Sequence, residues 1–140
     1  MIASQIGKVD WAYKYFMKTA TIDLTGEGKE YVGPLYIGGT HPAGNGGAWM
    51  SAVFGLCGIH VSEEGISVNP HLPAHWEQVK LSLLFHGQRL RFTLTPGSVV
   101  VEMMDHADTG TGFPISINGQ NYAFPHSYAL TISSNYRVSH

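Results

Sequence analysis

The hydrophobic period of this 140-residue chain changes at Gly58. Before it, apolar residues recur at helical spacing; after it they alternate, with β-branched residues and turn signals at short intervals. Val9, Ala12, Phe16 and Ala20 share one helical stripe. Residues 1–6 read as the end of an earlier helix closed by Gly7, with no cap signal in front of it. After Gly58 the pattern predicts strands at 59–61, 65–68, 79–85, 89–95, 98–104, 113–117, 120–124 and 128–133. His86-Gly87-Gln88, Thr95-Pro96-Gly97 and Asn118-Gly119 supply hairpin turns. Val79, Leu81, Leu83 and Phe85 alternate with other residues, as do Leu90, Phe92 and Leu94, which is the pattern of an antiparallel sandwich. Helices first and strands after make an α+β order. We divide the chain into residues 1–57, helices and a loop, and residues 58–140, a C-terminal β-sandwich.

The first unit is too small to stand alone. Residues 48–57 read as a helix that is apolar on every face and must be buried against something. The sandwich can cover one side; the rest calls for a helical body outside the chain or a second copy of it. Only 13% of residues are charged, against about a quarter in ordinary domains. That scarcity fits a surface partly covered by other protein.

Several classes fall away. A net charge of −2 and a pI near 6.4 leave no basic footprint for nucleic acid and no polybasic membrane segment. No apolar run reaches the length of a membrane span, and residues 1–5 lack the basic and apolar stretches of a secretory leader. The single cysteine, Cys57, lies in the apolar helix and reads as a packed hydrophobe in a reducing compartment. The expected location is cytoplasmic.

Chemistry concentrates between Gly38 and Trp49. A glycine-rich loop carrying one imidazole, His41, runs directly into the apolar helix. A loop that ends at a helix start offers backbone N–H groups and the positive end of the helix dipole to an anion. Pro42 restricts His41 to an extended conformation. Asn45 is expected to cap the helix, leaving the N–H groups of Gly46 and Gly47 facing the anion. Glycines placed for close packing explain the same residues. Trp49 follows the loop and is the aromatic expected to border a site. The stretch from 25 to 47 is too long for an idle loop.

The remaining candidates are weaker. His71 and His75 stand four apart, but Pro70 and Pro73 argue against the helix that a metal pair would need; no metal site is expected. His60, His86, His106, His126 and His140 are scattered over strands and turns. Glu27, Glu30, Glu63 and Glu64 sit in polar turns, and Glu102 with Asp105 falls at a strand end. They supply no acid/base pair across a pocket.

Five blocks in order resemble the C-terminal part of glycoside hydrolase family 65. They are Ile2-Ala3-Ser4-Gln5-Ile6-Gly7; Ala12-Tyr13-Lys14-Tyr15-Phe16 with Thr19-Ala20-Thr21-Ile22-Asp23-Leu24; and His41 eight residues before Trp49 with Phe54-Gly55-Leu56-Cys57-Gly58. The fourth runs from Gly65 through Asn69-Pro70-His71-Leu72-Pro73-Ala74-His75-Trp76, and the fifth from Leu83 to Thr95. The resemblance spans about residues 1–104. It implies the last helices of an (α/α)6 barrel followed by a β-sandwich, in a family of inverting phosphorylases of α-linked glucose disaccharides with some hydrolases. It also implies that His41 helps bind the attacking phosphate, a co-substrate rather than a cofactor. Where the family often carries hydroxyl residues after that histidine, this chain has Pro42-Ala43-Gly44. The family's general acid is a glutamate from an earlier part of the barrel, and no position here corresponds to it, so no catalytic residue is assigned. The chain by itself is then expected to be an inactive fragment. A hydrolase of α-glucosides, a split enzyme, and a non-catalytic docking or carbohydrate-binding sandwich remain as alternatives.

Overall fold

The computed structural model describes residues 1–25, 30–32, 34–37, 40–104, 112–124 and 129–133. For Thr25, 30–32, 35–37 and 129–133 the description is of the backbone.

The helical part opens with α1 (Ile2–Gln5), α2 (Val9–Ala20) and α3 (Ile22–Thr25). Gly7, at φ +76°, takes the left-handed conformation that ends α1. The predicted stripe of α2 faces inward, with Ala12 buried, while Trp11 and Tyr15 point to solvent. Residues 25–47, read as one polar connection, contain a short antiparallel hairpin, β1 (Glu30–Val32) with β2 (Leu35–Ile37), and the first turns of the next helix. That helix, α4 (Pro42–Met50), runs into a π-helical stretch, Ser51–Leu56. The widened turn lies where α1 crosses: a Cβ on Gly55 would stand 3.2 Å from Met1 Cα and 3.3 Å from Ser4 Oγ. Among the described residues no helix is long and apolar enough to cross a membrane.

Two four-stranded sheets follow. One is antiparallel throughout, in the order β10-β7-β6-β5: β5 (Val79–Phe85), β6 (Gln88–Thr95), β7 (Ser98–Met103) and β10 (Ala129–Ser133). The other has the order β3-β4-β8-β9: β3 (Ile59–Val61), β4 (Ile66–Val68), β8 (Pro114–Ile117) and β9 (Gln120–Ala123). Its β4–β8 pair is parallel, with Ile66 opposite Ile115, so the sandwich is not antiparallel everywhere. Hairpins force antiparallel neighbours, but β4 and β8 are joined by residues 69–113, a crossover that builds three strands of the opposite sheet and returns in the same direction. Two tight turns arise as the sequence predicts. His86-Gly87 and Asn118-Gly119 each place both residues at positive φ, the geometry of a two-residue hairpin loop.

Alternation builds the core. Leu90, Phe92 and Leu94 of β6 and Val99 and Val101 of β7 meet Ile59, Ile66, Val68, Ile115 and Ile117 of the other sheet in one cluster. Each fully buried large side chain stabilises the fold by roughly 1.5–3 kcal/mol. Val53 and Cys57 extend the cluster into the helical part. Two backbone bonds cross the junction: Asn69 N–H donates to Gly58 O at 2.9 Å, and His71 N–H to Leu56 O at 2.8 Å. α2 adds an aromatic contact, its Tyr13 ring 4.5 Å from His75 and its Phe16 ring 5.9 Å from Trp76. These contacts set the helices on the sandwich at a defined angle.

Candidate functional site

His41 stands at the start of α4, gripped by one carboxylate. Its backbone N–H donates to Asp23 Oδ2 at 2.9 Å, and its Nδ1 lies 2.5 Å from Asp23 Oδ1. Asn45 Nδ2 donates to the same Oδ2 at 3.0 Å. Asp23 thus accepts three hydrogen bonds at a helix N-terminus, where a carboxylate also meets the favourable end of the dipole. The His41 backbone bond, then its ring bond, then Asn45 hold the Asp23 carboxyl down at about 2, against an ordinary 3.8, with desolvation opposing. The acid is therefore ionised at neutral pH. The side chain of His41 remains 38% exposed.

The local sequence explains this geometry in part. Pro42 occupies the first helical position, where its fixed φ suits a helix and its missing N–H costs nothing. His41 sits outside the helical region at φ −106° and ψ 76°, consistent with the restriction imposed by the following proline. No side chain next to the helix caps it; the acceptor comes from 18 residues earlier, across the β1–β2 hairpin. Asp23 was missed in the sequence for that reason. It lies within a block that carries the family resemblance, yet no local spacing ties it to His41.

The helix start requires a correction. α4 begins at Pro42, not at Ala48, so Asn45 is not its cap but lies in its second turn and binds Asp23 through its side chain. The first intrahelical bond is already made by Asn45 N–H to His41 O. Gly46 and Gly47 come after it, where backbone N–H groups are directed to carbonyls four residues back. Among the described residues, the donors of the first turn without a partner are those of Ala43 and Gly44, since proline has none. Among the described residues nothing lies within 4 Å of a Cβ built on Gly46 or Gly47, so no packing among them requires glycine there.

Trp49 is not drawn to His41. It lies two turns along, about 12 Å at the rise of an α-helix, half-exposed with its ring 5.8 Å from Phe54. Phe54 in turn stacks on His60. His75 is occupied by its contact with Tyr13, and His71 is pushed below its ordinary value by burial. Cys57 is buried, and burial pushes its thiol up to about 11, the behaviour of a packing residue. A wide-open depression of about 540 Å³ between His75 and Lys80 shares no residue with the surroundings of His41. Gly38, Gly39, Glu27, Asp105, His106, His126 and His140 fall outside the described residues.

Residues 59–124 match the glycosyl hydrolase family 65 C-terminal domain. The nigerose phosphorylase of Lachnoclostridium phytofermentans is 47% identical over 77 residues, covering 55% of this chain and 10% of that protein. The α,α-trehalose phosphorylase of Geobacillus stearothermophilus is 28% identical over 138 residues, covering 96% of this chain and 16% of that protein. A solved human-microbiome structure, named provisionally as a kojibiose phosphorylase, superposes with a TM-score of 0.76 at 20% identity over 99% of this chain and 19% of that one. The chain thus spans about a tenth to a sixth of the length of these curated relatives. The structural likeness takes in the helices as well as the sandwich.

Proposed function

We propose that this chain is the C-terminal part of an inverting phosphorylase of an α-glucosidic disaccharide, and that His41 contacts the attacking phosphate. The observation that carries the reading is the Asp23-held imidazole at the open end of α4, beside the unspent N–H groups of Ala43 and Gly44. An oxyanion at that point meets helix donors and a ring nitrogen together. Gly46 and Gly47 contribute by keeping the adjoining helix face free of side chains. Trp49, further along, borders the sugar side. Phosphorylases of nigerose and of trehalose among the relatives support the activity and leave the disaccharide open.

In this reading, α1, α2 and α4 are terminal helices of an (α/α)6 barrel, and their exposed apolar residues pack on the remainder of it. A glutamate of that barrel protonates the leaving oxygen while phosphate attacks from the opposite face, giving β-glucose 1-phosphate. Phosphate serves as co-substrate, no resident cofactor takes part, and the enzyme acts in the cytoplasm. The test is to read the coding sequence contiguous with Met1 and assay the polypeptide it encodes on nigerose, trehalose and kojibiose, with and without phosphate. Phosphate-dependent release of β-glucose 1-phosphate is expected. Turnover indifferent to phosphate would replace the proposal with hydrolysis, and catalytic inactivity of a barrel-bearing polypeptide would favour a binding module.

A further inference from the structure

We propose that Asp23 is a positioning residue that sets the tautomer of His41, so that Nε2 is the ring atom left to a ligand. It rests on the phosphate reading only for the identity of that ligand. An ionised carboxylate accepts hydrogen bonds and donates none. The ring nitrogen facing Asp23 Oδ1 at 2.5 Å must therefore carry the proton, giving Nδ1–H. The grip has two points. The other oxygen, Oδ2, takes the backbone N–H of the same histidine, so ring and main chain turn together. Asn45, one helical turn on, ties that oxygen to α4. Among the described residues no group hydrogen-bonds Nε2, and the side chain is partly open to solvent.

The consequence is chemical selectivity. In the neutral ring, Nε2 carries a lone pair and accepts a hydrogen bond. An oxyanion docked there must bring its own proton. Hydrogen phosphate has a P–OH to give, whereas sulfate at neutral pH has none. The isolated N–H groups of Ala43 and Gly44 draw no such distinction.

The tautomer is read directly from the ¹⁵N shifts and long-range ¹H–¹⁵N correlations of the His41 ring in the labelled chain, at a pH where those shifts show the ring neutral. The expected spectrum has a protonated Nδ1 and a bare Nε2. Asp23→Asn is the informative variant because it preserves shape. Its single carbonyl oxygen can serve the His41 and Asn45 donors, which turns its NH2 toward the ring. The ring nitrogen must then accept, and the tautomer reverses to Nε2–H. Wild-type ring protonated on Nε2 would overturn the proposal, and so would an Asp23→Asn chain that keeps Nδ1–H. Addition of inorganic phosphate separates the two readings. An expected tautomer with no phosphate response at His41 removes the phosphate role and leaves the positioning role standing. A phosphate response on an Nε2–H ring does the reverse.

Discussion

The sandwich and the helices treat their apolar residues in opposite ways. Phe92, Leu90 and Leu94 are fully buried between two sheets that close on each other. Leu24 is 83% exposed, Trp11 63% and Trp49 52%. One half has its hydrophobic core within the described residues. The other offers large side chains on helix surfaces, beyond the scattered exposed leucine that any surface tolerates. The difference separates the two halves: the sandwich closes its own core, while the helices carry the proposed His41 site and an apolar surface that is open among the described residues.

The largest test of that contrast is Phe92→Ala. It empties a fully buried site between the sheets and should cost about 3–5 kcal/mol, measured by urea unfolding. A cost near zero would mean that the sandwich does not carry the stability. Acid comes next. The folded value of Asp23, about 2, lies below the ordinary 3.8, so its contribution is complete above about pH 4 and is lost as pH falls toward 2. The amide signals of His41 and Asn45 should move in that window while those of Val99 and Val101 stay put. An unchanged response in Asp23→Asn would disconnect the effect from this carboxylate. The smallest effect is expected for Trp11→Ala, within about 0.5 kcal/mol in this chain. A large loss there would show that the exposed helix face already packs on something, and the size-exclusion profile would reveal a second copy.

Legibility follows the same division. Strand positions were readable because one face of each sheet is buried against the other, so alternation survives in Leu90-Arg91-Phe92-Thr93-Leu94 and the turns announce themselves at His86-Gly87 and Asn118-Gly119. The parallel β4–β8 pairing was not, since register across a long crossover leaves no local mark. In the helical half, Val9–Ala20 was visible from its stripe. The start of α4 was not, because glycines at 44, 46 and 47 have poor helix propensity and the group that anchors the helix stands on α3. His41 could be singled out from its loop; its partner Asp23 only appears once the hairpin between them is folded.

The joint at Gly58 has a consequence for anyone who would cut this molecule. Its φ of +61° and the Asn69 carbonyl, 1.8 Å from where a Cβ would sit, admit no side chain, and the N–H groups that bind the Leu56 and Gly58 carbonyls, those of His71 and Asn69, lie just beyond β4. Scissors placed where the matched family domain begins, at residue 59, would leave both carbonyls dangling and expose Val53 and Cys57. The sandwich acts as the socket of a bracket: the two backbone bonds and the shared burial of Val53 and Cys57 tie the end of the helix that follows His41 to the strands.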